Sequence, residues 1–190
     1  MKPERMTAFT DGVFAIVITI MVLELHVPEG TGVSALRPEL PLFGAYVLSF
    51  IYVGLYWNNH HHMLQSAKRV DGRVLWSNLG LLFWLSLFPF VIRWIGERGV
   101  TAFPVAAFGV VLFMAAVFYL VLERALIAAE GDESTIARAV GARRKEWLSL
   151  AIYALGLGSA FLISPYVAVG CYVAVAIMWL VPDRRFERGL

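Results

Sequence analysis

The sequence is poor in cysteine and in charge. Cys171 is the one cysteine among 190 residues, which excludes an internal disulfide framework. Charged residues make up 16% of the chain, against about 25% in a typical soluble domain. Hydrophobic residues reach 59% and are gathered in long runs. The composition therefore indicates a membrane protein with several spans rather than a soluble core.

Several signatures of known activities are also missing. The TVGYG loop that builds a carbonyl-lined potassium filter does not occur, and no span carries the ladder of arginines typical of a voltage sensor. A Walker phosphate loop and a GxSxG nucleophile motif are absent too. We therefore expect no enzyme and no organic cofactor. The basic residues flank apolar runs, so we assign them to membrane topology and expect no nucleic-acid partner.

What the sequence does contain is a series of apolar segments separated by turn-forming or charged residues. We predict an all-α fold with one six-span transmembrane domain over residues 1–190. The first segment resembles a secretory signal but is too long and has no small-residue cleavage site before Pro28, so we expect a retained span. We expect Pro89 to kink the third span and Ser164–Pro165 to be the point where the chain folds back. The predicted spans are about 7–27, 41–65, 74–95, 104–128, 146–163 and 165–181, with a cytoplasmic loop at about 129–145.

Lysine and arginine are distributed unevenly between the two sides of such a six-span chain. Thirteen of the 16 would lie on the side of both termini, and only Arg37, Arg93 and Arg98 on the other. Because cytoplasmic loops carry the excess of basic residues, we predict a multi-pass protein of the cell membrane with both termini in the cytoplasm. The thirteen are Lys2, Arg5, Lys68, Arg69, Arg73, Arg124, Arg138, Arg143, Arg144, Lys145, Arg184, Arg185 and Arg188.

The first span combines a carboxylate with a stripe of branched apolar side chains. Asp11 lies near its start, where a carboxylate is costly unless it has a partner. At about 100° per residue, Asp11 points away from the stripe. Repeated around a symmetry axis, such a stripe would form a narrow hydrophobic constriction that gates by dewetting. A helix that merely packs shows the same pattern, so periodicity leaves both interpretations open. The stripe consists of Gly12, Ile16, Thr19, Ile20 and Leu23.

Polar residues on three neighbouring spans fall at a similar depth near the cytoplasmic side. The first span carries Arg5, Thr10 and Asp11, the second carries 58–62, and the third carries Ser77 and Asn78. We expect a network that fixes the base of the first helix, with Arg5 or a histidine as the partner of Asp11. Contact with headgroups or water is the alternative. Three consecutive histidines point about 100° apart and cannot converge on one ion, so we predict no structural metal site.

Arg5, Phe9, Thr10 and Asp11, followed by residues 12–16, resemble the RxxxFSD signature that opens the first helix of the transmembrane protein 175 family. Residues 56–61 and Asn78 with Pro89 extend the resemblance. Thr10 stands where the family has serine. Members of this family are potassium channels.

The resemblance implies a homotetramer in the lipid bilayer, in which helix 1 of each subunit lines a central pore and potassium ions permeate passively. It makes Ile16 the constriction, with Ile20 and Leu23 beyond it and Thr19 offering oxygen to a transiently held potassium ion. Glu24 would lie in the outer vestibule and attract cations. The residues bracing the pore helix would be Arg5, Phe9, Thr10, Asp11, His61, His62 and Asn78.

A proton-coupled secondary transporter is the alternative function. Asp11 and the cluster His60–His62 would then form the relay, because buried carboxylates and histidines in spans are also what a proton path requires.

Overall fold

The computed structural model describes residues 3–67, 69–131 and 144–180. Every regular element in these residues is helical. A short 3-10 helix, Val33–Glu39, precedes the second α-helix. The predicted all-α fold is thereby confirmed for the described residues, whereas most of the predicted loop at 129–145 and the end of the last span lie outside them. The α-helices are α1 Pro3–Leu23, α2 Leu40–Gln65, α3 Gly72–Leu85, α4 Phe88–Arg98, α5 Ala102–Glu130, α6 Arg144–Leu162 and α7 Pro165–Leu180.

Four helical segments are long and apolar enough to cross a membrane, namely Pro3–Leu23, Val33–Gln65, Gly72–Arg98 and Ala102–Glu130. α7 is a shorter apolar helix of 16 residues, about 24 Å at 1.5 Å per residue. With α6, these segments make six consecutive helical units, which fits the predicted count. The chain is a multi-pass membrane protein.

The third unit is broken rather than kinked. α3 begins at an Asp71 cap, where the carboxylate accepts a hydrogen bond of 2.9 Å from the Val74 amide. It ends at Leu85, and Ser86 and Leu87 form a turn before α4. Pro89 lies in the first turn of α4, where its missing N–H costs nothing. The proline therefore starts a new helix instead of bending a continuous one.

The fold-back between the last two helices lies at Ile163 and Ser164. The Ser164 amide bonds to the carbonyl of Ser159 at 2.8 Å and closes α6. The Ser164 hydroxyl then accepts a hydrogen bond of 3.2 Å from the Tyr166 amide and caps α7. Because Pro165 cannot continue α6, the chain turns back at the predicted place.

α5 is the most enclosed of the four long segments. It packs against α3, α4, α6 and α7. Half of its most apolar 18-residue stretch is buried, against 28% of the corresponding stretch of α1. α1 packs against α2, α3 and α4. One helix thus organises the interior of the chain, while α1 keeps most of its surface outside that interior.

Close packing of α6 on α7 depends on a glycine. A Cβ added at Gly156 would lie 2.5 Å from Tyr172 Cε1, inside the van der Waals distance, whereas a Cβ at Gly158 on the same helix meets nothing within 4 Å. We expect Gly156→Ala to destabilise the protein by about 1–3 kcal/mol through overpacking. Gly158→Ala should be neutral or stabilising by up to about 1 kcal/mol, because alanine favours helix. Thermal unfolding of both variants in one detergent measures the contrast, and equal melting temperatures would contradict it.

Candidate pore helix and its polar base

α1 has one buried face directed at the rest of the chain. Its members recur every three or four residues, as expected for one side of an α-helix. Met21 is fully buried, and Phe14 retains 3% of its exposure. This face fixes the rotation of the helix, because turning it would expose a continuous apolar stripe. The buried residues are Met6, Thr10, Phe14, Val17 and Met21.

The opposite face of α1 is exposed in the single chain and carries the predicted stripe. The exposed fractions of Ile16, Ile20 and Leu23 are 58%, 41% and 80%. Gly12 and Thr19 are exposed as well. The structure thus leaves all five stripe residues exposed on the surface of the chain, and none of them packs in its core.

Thr19 differs from its neighbours in offering oxygen. Its hydroxyl donates a hydrogen bond of 2.9 Å to the Ile16 carbonyl within the helix. Because the hydroxyl hydrogen is engaged there, the lone pairs of Thr19 Oγ1 remain available as acceptors. Thr19 is therefore an acceptor between the apolar side chains of Ile16 and Leu23.

Beneath the stripe, three buried polar side chains join three helices. Asn78 Nδ2 on α3 donates to Thr10 Oγ1 on α1 at 2.9 Å. Nε2 of His60 on α2 donates to Asn78 Oδ1 at 2.7 Å. At most 2% of each of the three residues is exposed. Each hydrogen bond therefore pairs a buried polar group that would otherwise have no partner. The chain His60–Asn78–Thr10 ties the start of α1 to both partner helices.

Asp11 has a different partner from those we expected. Its Oδ1 accepts a hydrogen bond of 3.0 Å from Trp57 Nε1 on α2, and neither Arg5 nor a histidine fills that place. The ring of His61 stacks on Trp57, with centroids 5.6 Å apart and planes 23° apart. Gln65 Nε2 donates to His61 Nε2 at 2.8 Å. This second contact between α1 and α2 is half-exposed, unlike the buried chain beside it.

The remaining predicted bracing residues lie outside these contacts. Arg5 and Phe9 are exposed on the stripe side of α1, and Phe9 keeps 56% of its exposure. Arg5 has no hydrogen bond or ion pair to another described residue. His62 touches the edge of the His61 ring at 5.9 Å between centroids. Within the chain, His60 occupies the place that we expected His61 or His62 to fill.

At the other end, Glu24 lies just beyond the last turn of α1 rather than on the helix. Its Oε2 is 3.9 Å from Arg93 Nε on α4, and Arg93 also pairs with Glu97 at 2.8 Å. The Arg93 side chain is 60% exposed, so this ion pair is weak. The negative charge that we expected at an outer vestibule is thus shared with a cation.

Comparison with known proteins bears on this arrangement directly. Residues 5–89 match the family described as Endosomal/lysosomal potassium channel TMEM175. A protein of Chryseobacterium sp. (strain P1-3) named a potassium channel is 50% identical over 190 residues, covering 100% of this chain and 98% of that protein. The chain belongs to the TMEM175 family. The crystal structure of a lysosomal potassium-selective channel TMEM175 homolog from Chamaesiphon minutus superposes with a TM-score of 0.74 at 26% identity, over 94% of this chain and 96% of that one.

More distant TMEM175 relatives match only about half of this chain. The Bos taurus protein named Endosomal/lysosomal proton channel TMEM175 is 37% identical over 99 residues, which are 46% of this chain and 20% of that protein. The family match at residues 5–89 spans α1 to the start of α4. It therefore includes the exposed stripe and the chain His60–Asn78–Thr10.

The sequence analysis missed the roles of His60 and Trp57 and the burial of Glu123. His60 lies on the buried stripe of α2 with Tyr52, Val53 and Met63, and that spacing separates it from His61 and His62. Trp57 lies level with Asp11, and its indole N–H can donate a hydrogen bond to the carboxylate. Glu123 keeps only 3% of its exposure and is a carboxylate inside the apolar α5. In the part of the chain that the structure describes, no group of three or more His, Cys, Asp or Glu side chains could hold a metal ion.

Proposed function

We propose that this protein is a passive potassium channel, a homotetramer in the cell membrane whose pore is bounded by the exposed stripe of α1 from each subunit. The observation that carries the proposal is that stripe. Ile16, Thr19, Ile20 and Leu23 stay outside the subunit core in a chain that is 50% identical over its full length to a protein named a potassium channel.

Symmetry supplies the reason for an oligomer. One subunit presents one such stripe, and a single helix face cannot enclose a path. Copies related by a closed rotation bring the same face to a common axis. The number four rests on the family resemblance.

In this arrangement Ile16 forms the constriction. Rings of branched apolar side chains exclude water from a narrow passage and oppose ion entry. Thr19, three residues further along the helix, contributes an oxygen that a partly dehydrated potassium ion could contact, because its hydroxyl hydrogen already bonds the Ile16 carbonyl. Ile20 and Leu23 extend the apolar wall outward. Glu24 raises the cation concentration beyond it to the extent that Arg93 leaves its charge uncompensated.

The two polar contacts at the base hold the wall in position. The chain His60–Asn78–Thr10 and the pair Trp57–Asp11 lie on the sides of α1 that face the subunit. Neither needs to touch an ion, since both act on the rotation and depth of α1. In this proposal the termini face the cytoplasm, and Arg93 lies near Glu24 just beyond the opposite end of α1.

The measurement is potassium flux through purified protein in liposomes. With potassium on one side and sodium on the other, we expect currents that reverse near the potassium equilibrium potential and persist without a proton gradient. Protein-free liposomes are the control. Liposomes containing the protein that carry no current, or a current that reverses near zero, would contradict the proposal.

A proton-coupled transporter is the second candidate, favoured by the buried chain His60–Asn78–Thr10 and by the name proton channel given to the animal relatives. The same liposomes separate the two functions. Slow potassium movement that stops when a proton ionophore collapses the pH gradient would indicate coupling, whereas a channel current continues.

A further inference from the structure

The half-exposed contact between α1 and α2 involves a side chain to which the proposed function gives no role. Trp57 is 43% exposed, so its indole has room to move away from Asp11 Oδ1, which lies 3.0 Å from the indole nitrogen. A single hydrogen bond in contact with water is weak, because water competes for both groups. A second restraint on the indole is therefore needed if this contact is to hold α1.

His61 supplies such a restraint. Its ring lies on the indole of Trp57, with centroids 5.6 Å apart and planes 23° apart. This is the offset-stacked geometry that aromatic pairs prefer. Trp57 and His61 are four residues apart on α2 and therefore share one face of the helix. The stack covers one side of the indole and limits the rotations that would carry its N–H away from Asp11.

His61 is itself held by the next residue in the same helical row. Gln65, four residues further on, donates from Nε2 to His61 Nε2 at 2.8 Å. Because an amide nitrogen only donates, His61 Nε2 accepts, and the hydrogen of the neutral ring lies on Nδ1. Nδ1 is enclosed and has no hydrogen-bond partner among the described residues. Neither ring nitrogen bonds to Asp11, so His61 acts on that carboxylate through Trp57.

The rotation of α1 is set from two directions. Thr10 and Asp11 are adjacent, so their side chains point about 100° apart around the helix. The buried bond from Asn78 holds Thr10, and the indole of Trp57 holds Asp11. A side chain that ends about 5–6 Å from the helix axis, such as that of Ile16, moves by about 2 Å when the helix turns by about 20°. Losing either contact thus permits a displacement of the exposed stripe that is comparable with the size of an ion.

We propose that His61 is a positioning residue for the pore helix. By stacking on Trp57 it keeps the indole bonded to Asp11, and that bond fixes the rotation of α1 and of its exposed stripe. This role differs from the direct pairing of a histidine with Asp11 that the sequence suggested. The effect on conduction rests on the proposed function, whereas the effect on the indole does not.

The role also differs from that of a proton relay. A relay requires a ring nitrogen that gains and loses a proton, whereas stacking requires only an aromatic ring. Phenylalanine keeps the ring but carries no proton, and alanine keeps neither. His61→Phe and His61→Ala therefore act alike if the ring is a relay, and they differ if the ring positions Trp57.

The experiment follows the indole N–H of Trp57 by NMR in the full-length protein with isotope-labelled tryptophan. Trp57→Phe assigns the resonance by its loss, and Asp11→Ala gives its position without the hydrogen bond. We expect His61→Ala to move the resonance toward that position, because such a stack favours the bonded state by about two- to tenfold. His61→Phe should keep the wild-type position. Phe50→Ala is the matched control, since it removes a ring of similar exposure, 46%, from α2, and it should leave the resonance unchanged.

Potassium flux of the same proteins in liposomes is the second measurement. We expect His61→Ala to lower the flux by about two- to tenfold, in step with the loss of the bonded indole, whereas His61→Phe and Phe50→Ala stay close to wild type.

Three outcomes would overturn the proposal. They are an unchanged indole resonance in His61→Ala, a displaced resonance with wild-type flux, and equal losses of flux in His61→Phe and His61→Ala. If the wild-type protein carries no current, the proposed function fails, and the resonance alone decides whether His61 positions the indole.

Discussion

Replacing Ile16 with asparagine is expected to raise potassium flux by about tenfold or more and to reduce the preference for potassium over sodium. The reason is the proposed ring of apolar side chains. A polar amide at each position of the ring lets water remain in the passage, so an ion keeps more of its hydration while crossing. A barrier lowered by about 1.4 kcal/mol is enough for a tenfold change in rate. Liposome flux under matched potassium and sodium gradients measures both effects.

The matched control is Val22→Asn on the same helix. Val22 is 45% exposed but lies about 120° around α1 from Ile16, outside the stripe. The Val22→Asn substitution introduces the same amide in the same span and should leave flux and selectivity close to wild type. If Ile16→Asn leaves both unchanged, or if the two variants act alike, Ile16 is not the constriction.

Helical periodicity groups the stripe residues on one face of α1, but it left open whether that face packs, and the resemblance to the TMEM175 family selected it. Once α1 is helical, the rotation that buries Phe14 and Met21 necessarily exposes Ile16 and Leu23. The direction of Asp11 follows in the same way. The identity of its partner does not, because that depends on how deep α2 lies against α1, and the sequence does not give that depth.

The choice among the three histidines shows the same limit. Consecutive side chains point about 100° apart, so at most one can face Asn78. The rotation of α2 about its axis places His60 on the buried face of the helix with Tyr52 and Met63. In the sequence, all three histidines look equivalent when they are treated as a cluster.

The break in the third span was partly visible. Pro89 removes a backbone hydrogen bond, which permits either a kink or a new helix. The outcome depends on the preceding residues. Ser86 bonds to the Leu82 carbonyl and Leu87 to the Trp84 carbonyl, at 2.9 and 3.2 Å, and these closing bonds end α3. The sequence does not separate the two outcomes, because it does not show where these closing bonds form.

Replacing Asn78 with leucine is expected to lower the free energy of unfolding by about 1–3 kcal/mol and to reduce channel activity. Leucine is of similar size, so the change removes the two hydrogen bonds with little change in volume. His60 and Thr10 are then both buried without their partner. Because these bonds hold α1 against α2 and α3, a looser α1 should reduce the fraction of conducting channels. Thermal unfolding and liposome flux are measured on the same preparation.

Ser77→Ala separates this effect from general damage to α3. The Ser77 hydroxyl donates to the Arg73 carbonyl within its own helix at 2.7 Å. Its loss therefore removes no hydrogen bond between helices. A double-mutant cycle with Thr10→Val then isolates the bond to α1. Interhelical hydrogen bonds in membrane proteins average about 0.6 kcal/mol, and we expect a coupling of at least about that size, because both groups are fully enclosed. Additive effects of Thr10→Val and Asn78→Leu would show that the contact does not hold the pore helix, and the loss of flux would then have to arise through His60.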